Sequence, residues 1–320
     1  MLREEINMFG NKRLTSLLGM LGPFIGLLLI VAIITILNPS FLSIDNLLNV
    51  LRQVSINALI AFGMTFVILT GGIDLSVGST LAFSGAVTAT MMASGIDPLI
   101  AILSGLAIGT ILGAVNGFVI AKGKVAPFIA TLATMTIYRG LTLMFTEGRP
   151  VSGLGESALF EMMGKGYFFG IPVPAMTMMA TFLILYLLLK KTTFGRRVYA
   201  VGGNEEAAIL SGISATRIKV YVYSLTGFLA GLAGIILTSR LNSAQPTAGQ
   251  MYELDAIAAV VLGGTSLTGG KGWIVGTIIG ALIIGVLNNG LNLLGVSSFF
   301  QQVVKGSVIL LAVLLDRKKA

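Results

Sequence analysis

The chain has 320 residues, 55% of them hydrophobic and 11% charged, with a mean hydropathy of +0.94. Soluble domains carry about 25% charged residues, so this composition excludes an ordinary water-soluble fold and points to an all-α integral membrane protein. With 0 Cys and 0 His, disulfides, thiolate or haem sites and the usual neutral-pH proton carrier are excluded, and the net charge of +8 sits at the ends of apolar runs rather than in one nucleic-acid-binding stripe.

A bilayer crossing needs about 20 apolar residues. Residues 1–16 read as a basic tail, retained rather than cleaved because no small-residue cleavage pattern follows. Charge-free stretches then run over 14–44, 53–73, 75–96 and 98–121, and a fifth crossing, 125–146, carries Arg139. The loop 147–170 holds Pro150, Gly153, Gly155 and a short apolar piece at 158–163, and reads either as a docking surface or as a plain link. The sixth crossing is 166–189, the loop 190–219 follows, and the seventh is 220–239. The shorter stretch 255–270 is the eighth, 272–304 the ninth, and 298–315, with Lys305, takes over its end as the tenth.

About ten crossings place both termini on one side. Lys and Arg gather in cytoplasmic loops. With the N-terminus inside, Arg3, Lys12, Arg13, Lys122, Lys124, Lys190, Lys191, Arg196, Arg197, Arg217, Lys219, Lys271, Arg317, Lys318 and Lys319 are cytoplasmic, which is 15 of the 21 basic residues. Nine or eleven crossings would put the last three outside. The sequence therefore predicts a multi-pass protein of a bacterial cytoplasmic membrane, a single membrane domain over 1–320, with 190–219 inside and 147–170 outside.

Within 190–219, Gly202 and Gly203 precede Asn204, Glu205, Glu206, Ala207, Ala208, Ile209, Leu210, Ser211 and Gly212. Asn is a favoured N-cap, two glutamates suit the first turn, and Gly212 can take the left-handed position past the end. A helix of about two turns is too short to stand alone, so it should lie against its own membrane domain or another protein.

Three separated segments in order carry a family resemblance: Gly71-Gly72-Ile73-Asp74-Leu75-Ser76-Val77-Gly78-Ser79, the loop 202–213, and 241–272 with Ser243-Ala244-Gln245-Pro246-Thr247-Ala248-Gly249 and Leu262-Gly263-Gly264-Thr265-Ser266-Leu267. From about Leu37 onward the chain resembles the permease subunits of bacterial ATP-binding-cassette (ABC) monosaccharide importers, and is most similar to those that carry ribose. The resemblance implies a permease fold distantly like the vitamin B12 importer's membrane subunit, working as a homodimer with an ATPase subunit inside and a sugar-binding protein outside. It implies inward passage of D-ribose by alternating access, with another pentose or a small polyol as the alternative within the family. It also implies that the short helix is the ATPase-coupling element, presenting Gly203, Asn204, Glu205, Glu206, Ile209, Leu210 and Gly212.

No cofactor is expected in this chain, ATP and magnesium belonging to the partner. A phosphate-binding loop needs G-x-x-x-x-G-K-[ST]. The nearest approach, Gly269-Gly270-Lys271-Gly272, has Thr265 where the first glycine belongs and Gly272 where a hydroxyl should hold magnesium. A faint internal echo aligns 71–79 with 263–271, as a repeat or as two ordinary glycine-ended helices.

Polar residues inside crossings either face a path or glue helices together. Asn57, Asn116, Asn288, Asn289 and Asn292 are the candidate sugar-path residues, with Gln301 nearby. Asp74 reads as a cap for the helix after it, and Arg139 and Lys305 have no partner legible in the sequence. An ion-coupled secondary transporter is the competing class, and it would need more charge buried at mid-membrane than this chain shows.

Overall fold

The computed structural model describes residues 22–317; the predicted tail 1–16, the start of the first crossing, and Lys318 and Lys319 lie outside the described residues. In chain order come α1 (Gly22–Leu37), a 3-10 turn (Pro39–Leu42), α2 (Ile44–Leu69), α3 (Val77–Ala93), α4 (Pro98–Gly123), α5 (Pro127–Phe145) and α6 (Ala158–Lys165). A hairpin of β1 (Tyr167–Phe168) and β2 (Ile171–Pro172) leads to α7 (Val173–Lys191), α8 (Thr193–Gly203), α9 (Glu205–Leu210), α10 (Ala215–Leu241), α11 (Tyr252–Leu262), α12 (Ile274–Leu293) and α13 (Ser298–Arg317). Six of these, α2, α4, α5, α7, α10 and α12, are long and apolar enough to cross a membrane.

The start signals are local. Ser43 caps α2 through the Asn46 amide, Asp97 caps α4 through the Leu99 and Ile100 amides, and Pro98 and Pro127 occupy first-turn positions where no amide is lost. α4 stops where Lys124 turns left-handed at φ 52°, and α10 stops at Asn242 with φ 51°.

Every predicted crossing contains a helix, but three differ in form. The stretch 255–270 becomes α11, whose 11 residues reach about 16 Å, roughly half of the hydrocarbon layer. Its remainder, 263–270, is turn and loop, because Gly264, Gly269 and Gly270 all have positive φ. The stretch 166–189 starts with the hairpin, so its helix begins only at Val173; Phe169 (φ 49°) and Gly170 (φ 77°) make the left-handed two-residue turn that such hairpins favour. Finally, α2 begins nine residues before 53, since Asp45 suits its first turn and Arg52 is accommodated beside the hairpin.

The core is closed by backbone contact. On α4, Gly105, Gly109, Gly113 and Gly117 recur every four residues; the last three face α10, and Gly105 lies between α3 and α10. A methyl at Gly109 would lie 2.6 Å from the Gly227 carbonyl oxygen and one at Gly117 would lie 2.7 Å from the Val220 Cα, while one at Gly113 would collide with the Tyr223 carbonyl. Small residues let helices approach where lipid removes the usual hydrophobic drive, and α4 against α10 is that case. α2 runs through the middle of the assembly, fully buried from Ala58 to Leu69.

At one end of the bundle three turns meet. The Gly270 amide donates to the Leu69 carbonyl at 3.0 Å, Gly202 packs its Cα on Leu69 and Gly270, and Gly269 lies against Gly71. The two echo segments thus touch, but they are not conformational equivalents: Gly71 has φ 78°, whereas Gly263, its aligned counterpart, has φ −70°. At the opposite end, the 146–172 connection folds over α10, with Val151 bridging Ala244 and the buried Phe160 accepting from the Ser239 hydroxyl.

Candidate functional site

Toward that opposite end the bundle holds a cavity of about 510 Å³. Small-molecule sites typically span about 300–1,000 Å³. α2 contributes Gln53, Ile56 and Asn57; α10 contributes Leu237, Arg240 and Leu241; the connection after it contributes Gln245, Thr247, Ala248 and Gly249. α11 adds Tyr252 and Asp255, α12 adds Gly285, Asn288 and Asn292, and α13 adds Gln301 and Lys305.

Three of the five sequence-predicted path residues, Asn57, Asn288 and Asn292, line this cavity together. The other two lie elsewhere. Asn289, one residue from Asn288, points away and exchanges two hydrogen bonds with Asn46 at 3.0 and 2.9 Å, joining α12 to α2. Asn116 is fully buried and donates to the Ser76 hydroxyl at 2.7 Å. That hydroxyl and the Ser76 amide both donate to the Asp74 carboxylate, at 2.7 and 2.9 Å, so Asp74 shapes the turn that enters α3. Tyr138 completes the cluster by donating to Asn116 Oδ1 at 3.3 Å.

The two cations without legible partners both have them. Lys305 Nζ sits 2.9 Å from Asp255 Oδ2. Arg139 donates to the Pro246 and Ala248 carbonyls at 2.6 and 2.8 Å, pinning the connection between α10 and α11 to α5. Within the cavity, Gln301 Nε2 donates to Asn292 Oδ1 at 2.8 Å and to the Val296 carbonyl, while Asn288 Oδ1 is buried with no partner among the described residues. Arg240, Gln245, Tyr252 and Asp255 escape a search of charge-free crossings because each lies at or beyond the boundary such a search draws.

The predicted coupling residues form a second exposed feature at the other end. Asn204 Oδ1 accepts from the Ala207 amide at 2.9 Å and Gly212 takes φ 81°, so α9 is capped at both ends as its sequence demands. Leu210 is 89% exposed and Ile209 53%. Glu205, expected to address a partner, is instead held by Lys219 of α10 at 2.7 Å, while Glu206 is exposed. α8 before it is anchored by Tyr199, whose hydroxyl donates to the Gly272 carbonyl at 2.7 Å. Burial pushes that phenol above its ordinary value, so it remains a donor.

A multi-pass helical bundle with a polar cavity inside apolar walls and a capped, apolar-tipped helix at one end defines the class: a membrane permease. The description "Branched-chain amino acid transport system / permease component" matches residues 46–313, and the chain belongs to that family. It is 69% identical to the ribose import permease protein of Bacillus subtilis (strain 168), over 94% of this chain and 93% of that one. It is 57% identical to the ribose import permease protein of Haemophilus influenzae, covering 92% and 91%, and 44% identical to the D-allose transport system permease protein of Escherichia coli (strain K12), covering 92% and 91%. No solved structure matches the chain. It is a transporter component, not a catalyst in its own right.

Proposed function

We propose that this chain is the permease subunit of an ATP-driven importer, carrying D-ribose inward through the cavity between α2, α10, α11, α12 and α13. The observation that carries the reading is the lining itself. Asn57, Asn288 and Asn292 converge with Gln53, Gln245 and Gln301 on one space that Ile56, Leu237 and Leu241 also line, and neutral amides match the hydroxyls of a neutral sugar. The near full-length likeness to ribose permeases supplies the substrate.

In this reading the α9 end faces the cytoplasm, supported by the 15 basic residues that the orientation gathers there. A second copy completes the membrane unit, an ATPase grips Ile209 and Leu210, and a sugar-binding protein docks over the cavity mouth. The Asp255 and Lys305 pair is the one observation favouring an ion-coupled transporter, since membrane-buried charge often relays ions.

The chain, expressed with its ATPase and binding protein in bacteria lacking ribose uptake, should restore accumulation of radiolabelled ribose. Vanadate should inhibit that uptake in vesicles and a protonophore should not. Asn292→Leu should lower uptake while membrane abundance stays normal. No ribose uptake, or uptake stopped by the protonophore alone, overturns the reading.

A further inference from the structure

The cavity contains one feature that a merely polar channel does not need. Asp255 on α11 and Lys305 on α13 meet in its wall, with side chains only 3% and 19% exposed. A buried ion pair recovers its desolvation cost only when the rest of its hydrogen-bonding capacity is met, and an apolar pair of similar volume would hold two helices together as well or better. The pair leaves much of that capacity open. A carboxylate accepts at about four positions and an ammonium donates three hydrogens; the contact recorded between them joins Nζ to a single oxygen, Oδ2. Asn288 lines the same cavity, and its Oδ1 is buried without a hydrogen-bond partner among the described residues.

We propose that Asp255, Lys305 and Asn288 form a sugar-recognition subsite in the permease itself, which binds two adjacent hydroxyls of an uncharged monosaccharide. This rests on the permease reading above. Each hydroxyl both donates and accepts, so one can give its hydrogen to the carboxylate while its oxygen accepts from the ammonium or from the Asn288 side-chain amide. No single-signed ligand can do this. A sugar acid or an amino sugar would bring a third, unpaired charge to a buried pair that is already neutral, and its desolvation cost favours an uncharged ligand. The pair also ties recognition to movement, since its halves sit on the half-length α11 and on α13, and a sugar seated against the pair engages both helices at once.

The test compares wild type with Asp255→Asn, Lys305→Met and the double variant, each assembled with the ATPase and binding protein. The double variant removes both charges and so leaves no unpaired ion behind. A subsite predicts normal membrane abundance and ATPase co-purification for the double variant, with ribose uptake lowered about tenfold or more, because a site built for hydroxyls loses the partners it was built around. Wild-type uptake by the double variant overturns the subsite and leaves a structural tie. If the double variant does not accumulate, Asp255→Lys with Lys305→Asp keeps an ion pair. Restored abundance with lost uptake then supports recognition, and restored uptake, or failure of this variant to accumulate, overturns it. Wild-type uptake in the same cells separates the two levels: its absence overturns the permease reading, whereas wild-type uptake equalled by the double variant overturns the subsite alone.

Discussion

The most direct probe of coupling is Leu210. At 89% exposure its side chain contributes almost nothing to the fold of the isolated chain, and nearly all of its apolar surface is still available for a partner. Burying a leucine stabilises by about 1.5–3 kcal/mol, and each 1.4 kcal/mol is tenfold in affinity. Leu210→Ala should therefore weaken ATPase binding by about 10- to 100-fold. Leu210→Asp should abolish it, since a carboxylate would then have to be desolvated in an apolar groove. Neither change should move thermal stability of the permease by more than about 0.5 kcal/mol, the usual limit for a surface substitution. The assay is titration of the purified ATPase onto detergent-solubilised permease, beside a thermal melt of each variant and ribose uptake in cells. Wild-type affinity and uptake in Leu210→Asp would refute the reasoning and reduce α9 to a linker. A lowered melting temperature would refute it differently, by showing that the side chain supports the fold.

Three further outcomes are expected. Gly113→Val places side-chain atoms against the Tyr223 carbonyl and the Gly227 Cα, and should destabilise by 3 kcal/mol or more, roughly the top of the overpacking range, seen as lost membrane abundance; Gly140→Ala, with nothing within 4 Å, should be neutral or slightly stabilising. Single cysteines at positions 203 and 153 of this cysteine-free chain should react oppositely with an impermeant thiol reagent on intact cells, 153 labelling and 203 not; the reverse pattern would sink the orientation. Tyr199→Phe removes the donor to the Gly272 carbonyl and should cost about 0.5–1.5 kcal/mol. Because burial raises that phenol, its contribution is complete below the ordinary phenol value and fades only as pH rises through the raised one; the wild-type to Phe difference should stay constant from about pH 6 to 9, checked by melts across that range.

Apolar stretches between charges located a helix in every predicted crossing, because desolvating a charge in lipid is expensive enough to leave a mark in any single sequence. The same rule misplaced edges wherever a charge had a local partner. Arg52 stacks over the Tyr167 ring at 4.5 Å, so α2 runs straight through it. The half-length of α11 was hidden for another reason: the glycine pair at 263 and 264 can end a helix or sit inside one, and it is the φ of 86° at Gly264 that ends this one. The amides show the limit most clearly. Asn288 and Asn289 are identical in type and adjacent, yet one lines the cavity and the other bonds Asn46, a choice made by the direction in which α12 faces α2. Caps, by contrast, are local, and the Asn204 to Gly212 helix was legible almost to the residue.

The junction at the α9 end has a mechanical property. Gly202 meets Leu69 and Gly270 backbone to backbone, and Gly269 meets Gly71 in the same way. A side chain between two helices can absorb a small displacement by changing rotamer, but bare peptide planes cannot. A displacement of α8 toward this junction therefore presses directly on the turn after α2 and on the loop that ends α11, the helix carrying Asp255. The glycines serve the bundle as a stiff bearing rather than as points of flexibility.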